Sequence, residues 1–251
     1  MNKLRLISRL DIKSPNLVKG RQFEGLRKIG DPNKYAVKYY EEGIDEIFYE
    51  DIVASLYERN SLVDIIEKTS ENIFVPLTVS GGLRSIKDVA NVLKAGADKV
   101  AINTSAIKNS DFISEVSDKF GSQCMVLSIQ AKKRENHWEA FYDNGREMSN
   151  LDVVEWAIEG EKKGAGEIIL TSVDNDGMGN GFDTDLVKAV TSVVNIPIIV
   201  SGGMGKLSDV SNIIKNSGAN AVAIARSLHY NDFNIKEIKE HCNKEGILTR
   251  L

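Results

Sequence analysis

Short runs of aliphatic and β-branched residues recur along the chain, and segments with helical spacing of apolar residues lie between them. The runs do not alternate apolar and polar positions, which is typical of strands that are buried on both faces. We predict strands at 4–10, 46–51, 75–80, 98–102, 123–130, 166–172, 196–201 and 220–225. We predict helices near 31–43, 59–71, 86–95, 110–119, 150–164, 183–193, 206–216 and 233–245.

Residues that favour helix ends flank several of these predicted helices. Ser85 and Asn150 stand where an N-cap is expected, before the third and fifth helices. Glycines follow the last turns of four helices, where a left-handed residue commonly ends a helix. These glycines are Gly43, Gly96, Gly164 and Gly218.

The chain contains an internal repeat. The segment 75–102, which contains "PLTVSGG", matches 196–224, which contains "PIIVSGG", and Pro76 corresponds to Pro197. Two similar halves, about 1–122 and 123–251, each with four strand–helix units, predict an α/β fold: one (β/α)8 barrel domain of two half-barrels. A doubly wound open sheet is the alternative, but it does not account for the duplication.

One segment interrupts the regular strand–helix order at 132–148. Polar and apolar residues alternate there, and Asn144-Gly145 breaks the alternation, which is a strong hairpin signal. We therefore predict a hairpin inserted after the fifth strand, on the face where barrels bind ligands.

Composition limits the classes of function. The 251 residues suit one barrel, and a net charge of −4 gives no basic surface for nucleic acid. Cys124 and Cys242 are far apart and the three histidines lack metal-ligand spacing, so we expect no disulfide framework, no metal and no cofactor. Charges interrupt the apolar run at the N-terminus, so we expect neither a signal peptide nor a membrane span, and a cytoplasmic location.

Two glycine motifs occupy equivalent positions in the two halves and predict two phosphate sites. Ser80-Gly81-Gly82 and Ser201-Gly202-Gly203 each end a predicted strand, where backbone N–H groups can face an anion. Asn103-Thr104 and Ala225-Arg226 end the next strand in each half. A single pair of glycines would more simply make a tight turn, but two equivalent copies favour an elongated ligand with two phosphates, or two ligands.

A series of motifs runs along nearly the whole chain. They are "LDIK" (10–13), "LVKG" (17–20), "FEGLRKIGDP" (23–32), "DEIFYEDIVAS" (45–55), "PLTVSGG" (76–82), "GADKVAINTSA" (96–106), "FGSQC" (120–124), "GAGEIILTSVDNDG" (164–177) and "SGGMGK" (201–206). In their order and spacing these motifs resemble the cyclase subunit of imidazole glycerol phosphate synthase.

The resemblance implies a (β/α)8 barrel that receives ammonia from a glutaminase subunit and uses it to cleave and cyclise a doubly phosphorylated ribonucleotide. It places Asp11 at the first catalytic aspartate, Gln130 at the second and Lys19 on a mobile loop that folds over the substrate. It assigns Asp51 and Asp176 to substrate hydroxyls. Thr171, Gly177 and the glycine-motif residues named above complete the expected ligand-binding set.

Departures from the family pattern lie at the predicted mouth of the barrel. Gln130 carries an amide, which can hydrogen-bond but cannot exchange a proton as the family's acid–base pair requires. Arg9 replaces a small residue, Ser80 replaces a glycine, and Arg226 replaces a small hydroxyl residue. Gln130 is either a sign of changed chemistry or drift within a true cyclase.

Four charged residues begin predicted inner strands at the opposite end: Arg5, Glu46, Lys99 and Glu167. Arg5 is six residues from Asp11, so both point to the same face of one strand. The resemblance identifies this set as the gate through which ammonia enters, with Asp98 beside it at the glutaminase interface. The alternative is a ring that only closes the barrel structurally.

Because the gate is kept while the mouth differs, the sequence favours a subunit that still conducts ammonia to a changed acceptor. It then resembles a paralogous branch in which ammonia converts an acetamido group of a surface-polysaccharide sugar to an acetamidino group, with a third, amidotransferase-like protein. A true cyclase of histidine biosynthesis is one alternative. A non-catalytic scaffold that activates the glutaminase is the other.

Overall fold

A computed structural model describes residues 3–54 and 62–250. Its strands are β1 (Arg5–Lys13), β2 (Asn16–Arg21), β3 (Glu24–Gly30), β4 (Glu46–Asp51), β5 (Leu77–Ser80), β6 (Lys99–Ile102), β7 (Met125–Lys133), β8 (Trp138–Tyr142), β9 (Glu147–Asp152), β10 (Glu167–Ser172), β11 (Ile198–Ser201) and β12 (Ala221–Ile224). Parallel pairing runs β1-β4-β5-β6-β7-β10-β11-β12 and returns to β1, which closes the barrel. The predicted fold class is confirmed.

Helices follow the barrel strands and cover their outer surface. They are α1 (Pro32–Glu41), α2 (Val63–Ser70), α3 (Ile86–Lys94), α4 (Thr104–Lys108), α5 (Asp111–Phe120), α6 (Val153–Lys162), α7 (Thr184–Thr191), α8 (Leu207–Ser217), α9 (Arg226–His229) and α10 (Ile235–Lys244). The start of the helix predicted at 59–71, and Ser55 of one family motif, lie outside the described residues. The short helices α4 and α9 were not predicted, because one turn carries too few residues to show a helical period.

The predicted helix ends are correct in most places. Ser85 caps α3 by accepting from the Asp88 N–H, and the four glycines after helices all have positive φ angles. The predicted cap at Asn150 is wrong, as is the predicted start of that helix. Asp152 caps α6 instead, accepting from two backbone N–H groups, because the second strand of the hairpin continues to Asp152.

Two antiparallel hairpins extend the barrel at its carboxyl end. β8 and β9 form the predicted hairpin, although its second strand extends past residue 148. β2 and β3 form another, which pairs with the end of β1 and was not predicted. Lys19, expected on a mobile loop, therefore lies in a strand and is almost completely buried.

The barrel interior has three layers of side chains. The charged residues Arg5, Glu46, Lys99 and Glu167 lie at the amino-terminal end. An apolar layer follows, formed by Ile7, Phe48, Ala101, Val126, Ile169, Ile199, Ala221 and Ala223. Polar side chains fill the carboxyl end, which is the mouth. Among the described residues, no helix is both long enough and apolar enough to cross a bilayer.

Candidate active site at the mouth of the barrel

Five charged side chains meet at the centre of the mouth; we call them the mouth cluster: Arg9, Asp11, Lys19, Glu50 and Asp176. Arg9 Nε donates to Asp11 Oδ1 at 2.9 Å, and Arg9 Nη2 lies 2.5 Å from Glu50 Oε2. Lys19 Nζ lies 2.7 Å from both Asp11 Oδ2 and Asp176 Oδ2. Asp11 therefore contacts both cations of the cluster.

Strand register explains why Arg9, Asp11 and Glu50 converge. Arg9 and Asp11 are two residues apart in β1, so both side chains point inward. Asp11 and Glu50 are directly opposite in the parallel β1–β4 pair, so Glu50 points inward as well. The adjacent Asp51, which was predicted as a ligand-binding residue, follows at the strand end, where its carboxylate accepts from the Val53 N–H at 3.1 Å.

Arg9 fills the middle of the mouth. Its side chain is 1% exposed, and Nη1 donates to Thr171 Oγ1 and to Ser201 Oγ, both at 3.1 Å. The Phe23 ring, carried on the β2–β3 hairpin, lies over the guanidinium with its centroid 5.3 Å away. Thr171 and Ser201, both predicted as ligand-binding, therefore bind Arg9 in this structure.

The charges of the mouth cluster shift the pKa values of Asp11, Arg9 and Lys19. Burial opposes ionisation of Asp11, but Arg9 and Lys19 outweigh it and lower the pKa of Asp11 to about 2. Burial also disfavours the charged forms of Arg9 and Lys19, yet their carboxylate neighbours raise both pKa values. Asp11 is therefore ionised at neutral pH.

His229 lies close to this cluster and is also buried. Tyr39 Oη lies 2.8 Å from His229 Nδ1, and the two rings are stacked. Burial lowers the pKa of His229 to about 3, because the nearby Asp11 offsets only part of that effect. The imidazole is therefore neutral at physiological pH and supports the mouth as a packed, hydrogen-bonded group.

A cavity of about 350 Å³ lies on one side of the mouth cluster. The first predicted phosphate site forms one of its walls, with Ser80, Gly81, Gly82, Asn103 and Thr104. Glu50, Asp51, Gln130, Arg84 and Lys108 also line it. Gly81 has a φ of 96°, and a Cβ there would lie 2.3 Å from the Asp51 carbonyl oxygen, so only glycine fits this turn.

The second predicted phosphate site lies on the other side of the cluster. Asp176, Gly177, Ser201, Gly202, Gly203, Ala225 and Arg226 line a cavity of about 20 Å³. Arg226 Nη1 is 2.7 Å from Asp232 Oδ2, so its guanidinium is already paired at the rim. The two sites lie on opposite sides of Arg9, and buried side chains fill the space between them.

We expect Arg226→Ala to weaken the binding of inorganic phosphate at the second site by about 1–3 kcal/mol, since one charge-assisted hydrogen bond is lost. Isothermal titration calorimetry measures this loss. The matched variant Asp232→Asn should strengthen binding, because it frees the same guanidinium. Equal affinities for all three proteins would show that Arg226 does not contact the anion.

Gln130 occupies a defined place between the cluster and the first cavity. Its Nε2 donates to Glu50 Oε1 at 3.3 Å, while its buried Oε1 has no hydrogen-bond partner among the described residues. Asn103, in contrast, is held by two hydrogen bonds from Nδ2, to the Ser128 and Phe141 carbonyl oxygens.

Within the described ranges, no group of three or more His, Cys, Asp or Glu residues is placed to hold a metal ion.

The four charged residues at the floor of the barrel form a closed ring; we call it the floor ring. Arg5 Nη1 is 2.7 Å from Glu46 Oε1, and Arg5 Nη2 contacts Glu167. Lys99 Nζ is 3.4 Å from Glu46 Oε2 and 3.0 Å from Glu167 Oε2. Positive and negative charges alternate around the ring, which satisfies the pairing that buried charges require.

The surface around the floor ring is open and basic. Lys3, Arg5, Lys99 and Arg250 line a depression of about 550 Å³ there. Asp98, predicted at a partner interface, is exposed at the same end, and its carboxylate accepts from the Leu77 N–H at 2.8 Å. The floor ring thus lies at the base of a depression that a partner could cover.

Comparison with known proteins identifies the family. The sequence profile described as "Histidine biosynthesis protein" matches residues 5–234. The chain belongs to this family. A relative from Legionella pneumophila, named imidazole glycerol phosphate synthase subunit HisF, is 58% identical over 210 residues, which cover 83% of this chain and 99% of the relative.

Two further relatives with the same name match this HisF-type barrel from end to end. The protein from Dehalococcoides mccartyi strain BAV1 is 44% identical over 251 residues, covering 100% of this chain and 99% of the relative. The protein from Natranaerobius thermophilus is 41% identical over 247 residues, or 98% of each chain. These names fit a subunit of imidazole glycerol phosphate synthase, and the expected polysaccharide branch is not among them.

Sequence reasoning missed Glu50 and the central place of Arg9. The signal was present in the spacing. Glu50 is four residues from Glu46 in one strand, and Arg9 is four residues from Arg5, so each shares a face with a member of the floor ring. The same rule of alternation that placed Arg5 and Asp11 on one face would have placed both side chains in the barrel interior.

Proposed function

We propose that this chain is the ammonia-accepting synthase subunit of a glutamine amidotransferase complex, and that a separate glutaminase covers its amino-terminal face. The observation that carries the proposal is the alignment of three features along one barrel axis. These are the floor ring, the apolar layer above it and the mouth cluster at the far end.

Each layer has a physical role in this proposal. The floor ring keeps bulk water out when it is closed, and its ion pairs can part slightly for a small neutral molecule. The apolar layer disfavours ammonium, because a charge inside it would lack partners, and so it passes neutral ammonia. The mouth cluster then orients a ligand beside Asp11, whose ionised carboxylate stabilises developing positive charge.

For the reaction at the mouth, cyclisation to imidazole glycerol phosphate is the first candidate. The whole-length similarity to proteins named imidazole glycerol phosphate synthase subunit HisF supports it. The two glycine-lined sites on opposite sides of Asp11 also suit a substrate with two phosphates. Opening the space between them would require the mouth cluster to rearrange around the substrate.

A second candidate is favoured by Arg9 and Gln130. Arg9 fills the space between the two cavities, and Gln130 carries an amide that neither gains nor loses a proton near neutral pH, at the position of the family's second catalytic aspartate. Ammonia would then pass to another acceptor, the acetamido group of a surface-polysaccharide sugar, with a sugar amidotransferase as the third protein. The scaffold alternative shares this geometry but requires no ligand in the first cavity.

Complementation separates the two candidates. We expect expression of this chain, with its own glutaminase, to restore growth without histidine to a bacterium that lacks the cyclase subunit. Growth rate in minimal medium is the measurement, and Asp11→Asn is the control that should not grow. Failure of the unmutated chain to support growth, with normal protein levels, would remove the first candidate and leave the second.

A further inference from the structure

The position of Glu50 is the one expected of a carboxylate that takes part in acid–base chemistry at the mouth. Its side chain points inward beside Asp11 and is 8% exposed. It lines the larger of the two cavities at the mouth, the one that contains the first predicted phosphate site. Arg9 holds one of its oxygens and Gln130 holds the other. One buried guanidinium thus joins the Asp11 and Glu50 carboxylates on neighbouring strands.

The balance of charge in the mouth cluster leaves room for one proton. The cluster contains two cations, Arg9 and Lys19, against three carboxylates. Asp11 contacts both cations, whereas among the described residues Glu50 contacts Arg9 alone and shares it with Asp11. Since a buried net charge is costly, a proton bound within the cluster is stabilised, and Glu50 is the carboxylate on the cavity side.

We propose that Glu50 is the second proton-exchanging group of this site, and that Gln130 is a positioning residue that orients it toward the cavity. The Gln130 amide keeps a hydrogen bond to the Glu50 carboxylate and leaves its own unpaired Oε1 free to accept a donor from a ligand. The acid–base pair is then Asp11 and Glu50, joined by Arg9, rather than Asp11 and residue 130.

The proton transfer can be written with every electron pair in place. The lone pair of ammonia forms a bond to an electrophilic carbon of the bound ligand, and the π electrons of that carbon's double bond move to its oxygen or nitrogen partner. The new N–C nitrogen is then positively charged and gives one proton to the Glu50 carboxylate. Glu50 passes that proton to the atom that received the π electrons and returns to its ionised form.

The electrostatic surroundings agree with this role. Burial raises the pKa of Glu50, and Arg9 and Lys19 oppose that effect while Asp11 and Asp176 add to it. Ser80 of β5, which is opposite Glu50 in the strand pairing, and Gln130 of β7 are uncharged and add no further charge to these groups. Glu50 therefore changes its protonation state at a higher pH than Asp11, as a proton-transfer group at neutral pH requires.

This inference rests on the proposed synthase function, so one of its tests must be a measurement that requires no catalytic turnover. Protein with 13C-labelled glutamate carboxyl groups should show one buried resonance that titrates at a higher pH than surface glutamates. That resonance should be absent from Glu50→Gln. If every glutamate resonance titrates as in an exposed peptide, the inference is wrong, whatever the protein synthesises.

The kinetic test removes the carboxylate from position 50 in β4 and then places one at position 130 in β7. Glu50→Gln should lower product formation from ammonium salts by about 10²–10⁴-fold, while Glu147→Gln, at an exposed glutamate of β9, should have no effect. The double variant Glu50→Gln with Gln130→Asp restores the same charge at the neighbouring position, and we expect it to regain much of the lost rate.

The pH dependence separates positioning from a structural role. Because the Gln130 amide donates to the ionised form of Glu50, Gln130→Leu should move the acidic limb of the pH–rate profile to higher pH. A Glu50→Gln variant that keeps the unmutated rate and pH profile would overturn the inference. A folded protein with no synthase activity in any variant would instead contradict the proposed function, and the labelled resonance would still decide the role of Glu50.

Discussion

Arg9→Ala is expected to lower the free energy of unfolding by about 3–5 kcal/mol, the cost of removing one partner from a buried ion pair. Arg9 is almost completely buried and contacts Asp11, Glu50, Thr171 and Ser201. Without it, the mouth cluster as described keeps one cation, Lys19, beside three buried carboxylates. Denaturant unfolding followed by circular dichroism measures the change.

The effect of Arg9→Ala should depend on pH in a defined direction. Folding lowers the pKa of Asp11 from its ordinary value of 3.8 to about 2, so Asp11 stabilises the fold above pH 3.8. This stabilisation is lost as pH falls toward 2. The difference in the free energy of unfolding between the unmutated chain and Arg9→Ala should therefore be large at pH 7 and smaller near pH 3.

Arg21→Ala, at an exposed arginine of β2, is the control. A difference below that of the control would show that Arg9 is not part of a buried network.

Lys99→Ala is expected to uncouple the two activities of the complex. The variant removes one corner of the floor ring, but Arg5 still joins Glu46 and Glu167, so the fold and glutaminase binding should persist. With the floor open, ammonia escapes, and we expect the ratio of glutamate released to product formed to rise about twofold or more, since site closure is what prevents such losses.

Parallel assays of glutamate and of aminated product in the reconstituted complex measure this ratio. Lys3→Ala is the matched control, because Lys3 lines the same depression but does not belong to the floor ring. An unchanged ratio in Lys99→Ala would mean that the ring only closes the barrel. Absence of any glutaminase association would remove the channel altogether.

The sequence alone determined the barrel and its two halves. Eight apolar runs, each followed by a helical period, are local patterns, and the matching of 75–102 to 196–224 repeats them. The glycines of the two predicted phosphate sites and the cap at Ser85 are also local, because their conformations depend on a few adjacent residues, whereas the hairpin displaced the predicted cap at Asn150. The floor ring was predicted from four charges at the starts of inner strands, from strand parity at Arg5, and from the family resemblance.

The tertiary structure decided what the mouth contains. The β2–β3 hairpin has no simple alternation, yet it pairs with β1 and places Lys19 and Phe23 over the barrel axis. The partners of Arg9 lie 2 to 192 residues away along the chain, in β1 itself and in β4, β10 and β11. Sequence spacing shows which side chains point inward, but the choice of ion pairs depends on strand register, side-chain reach and the exclusion of water. Those conditions exist only once the barrel has closed.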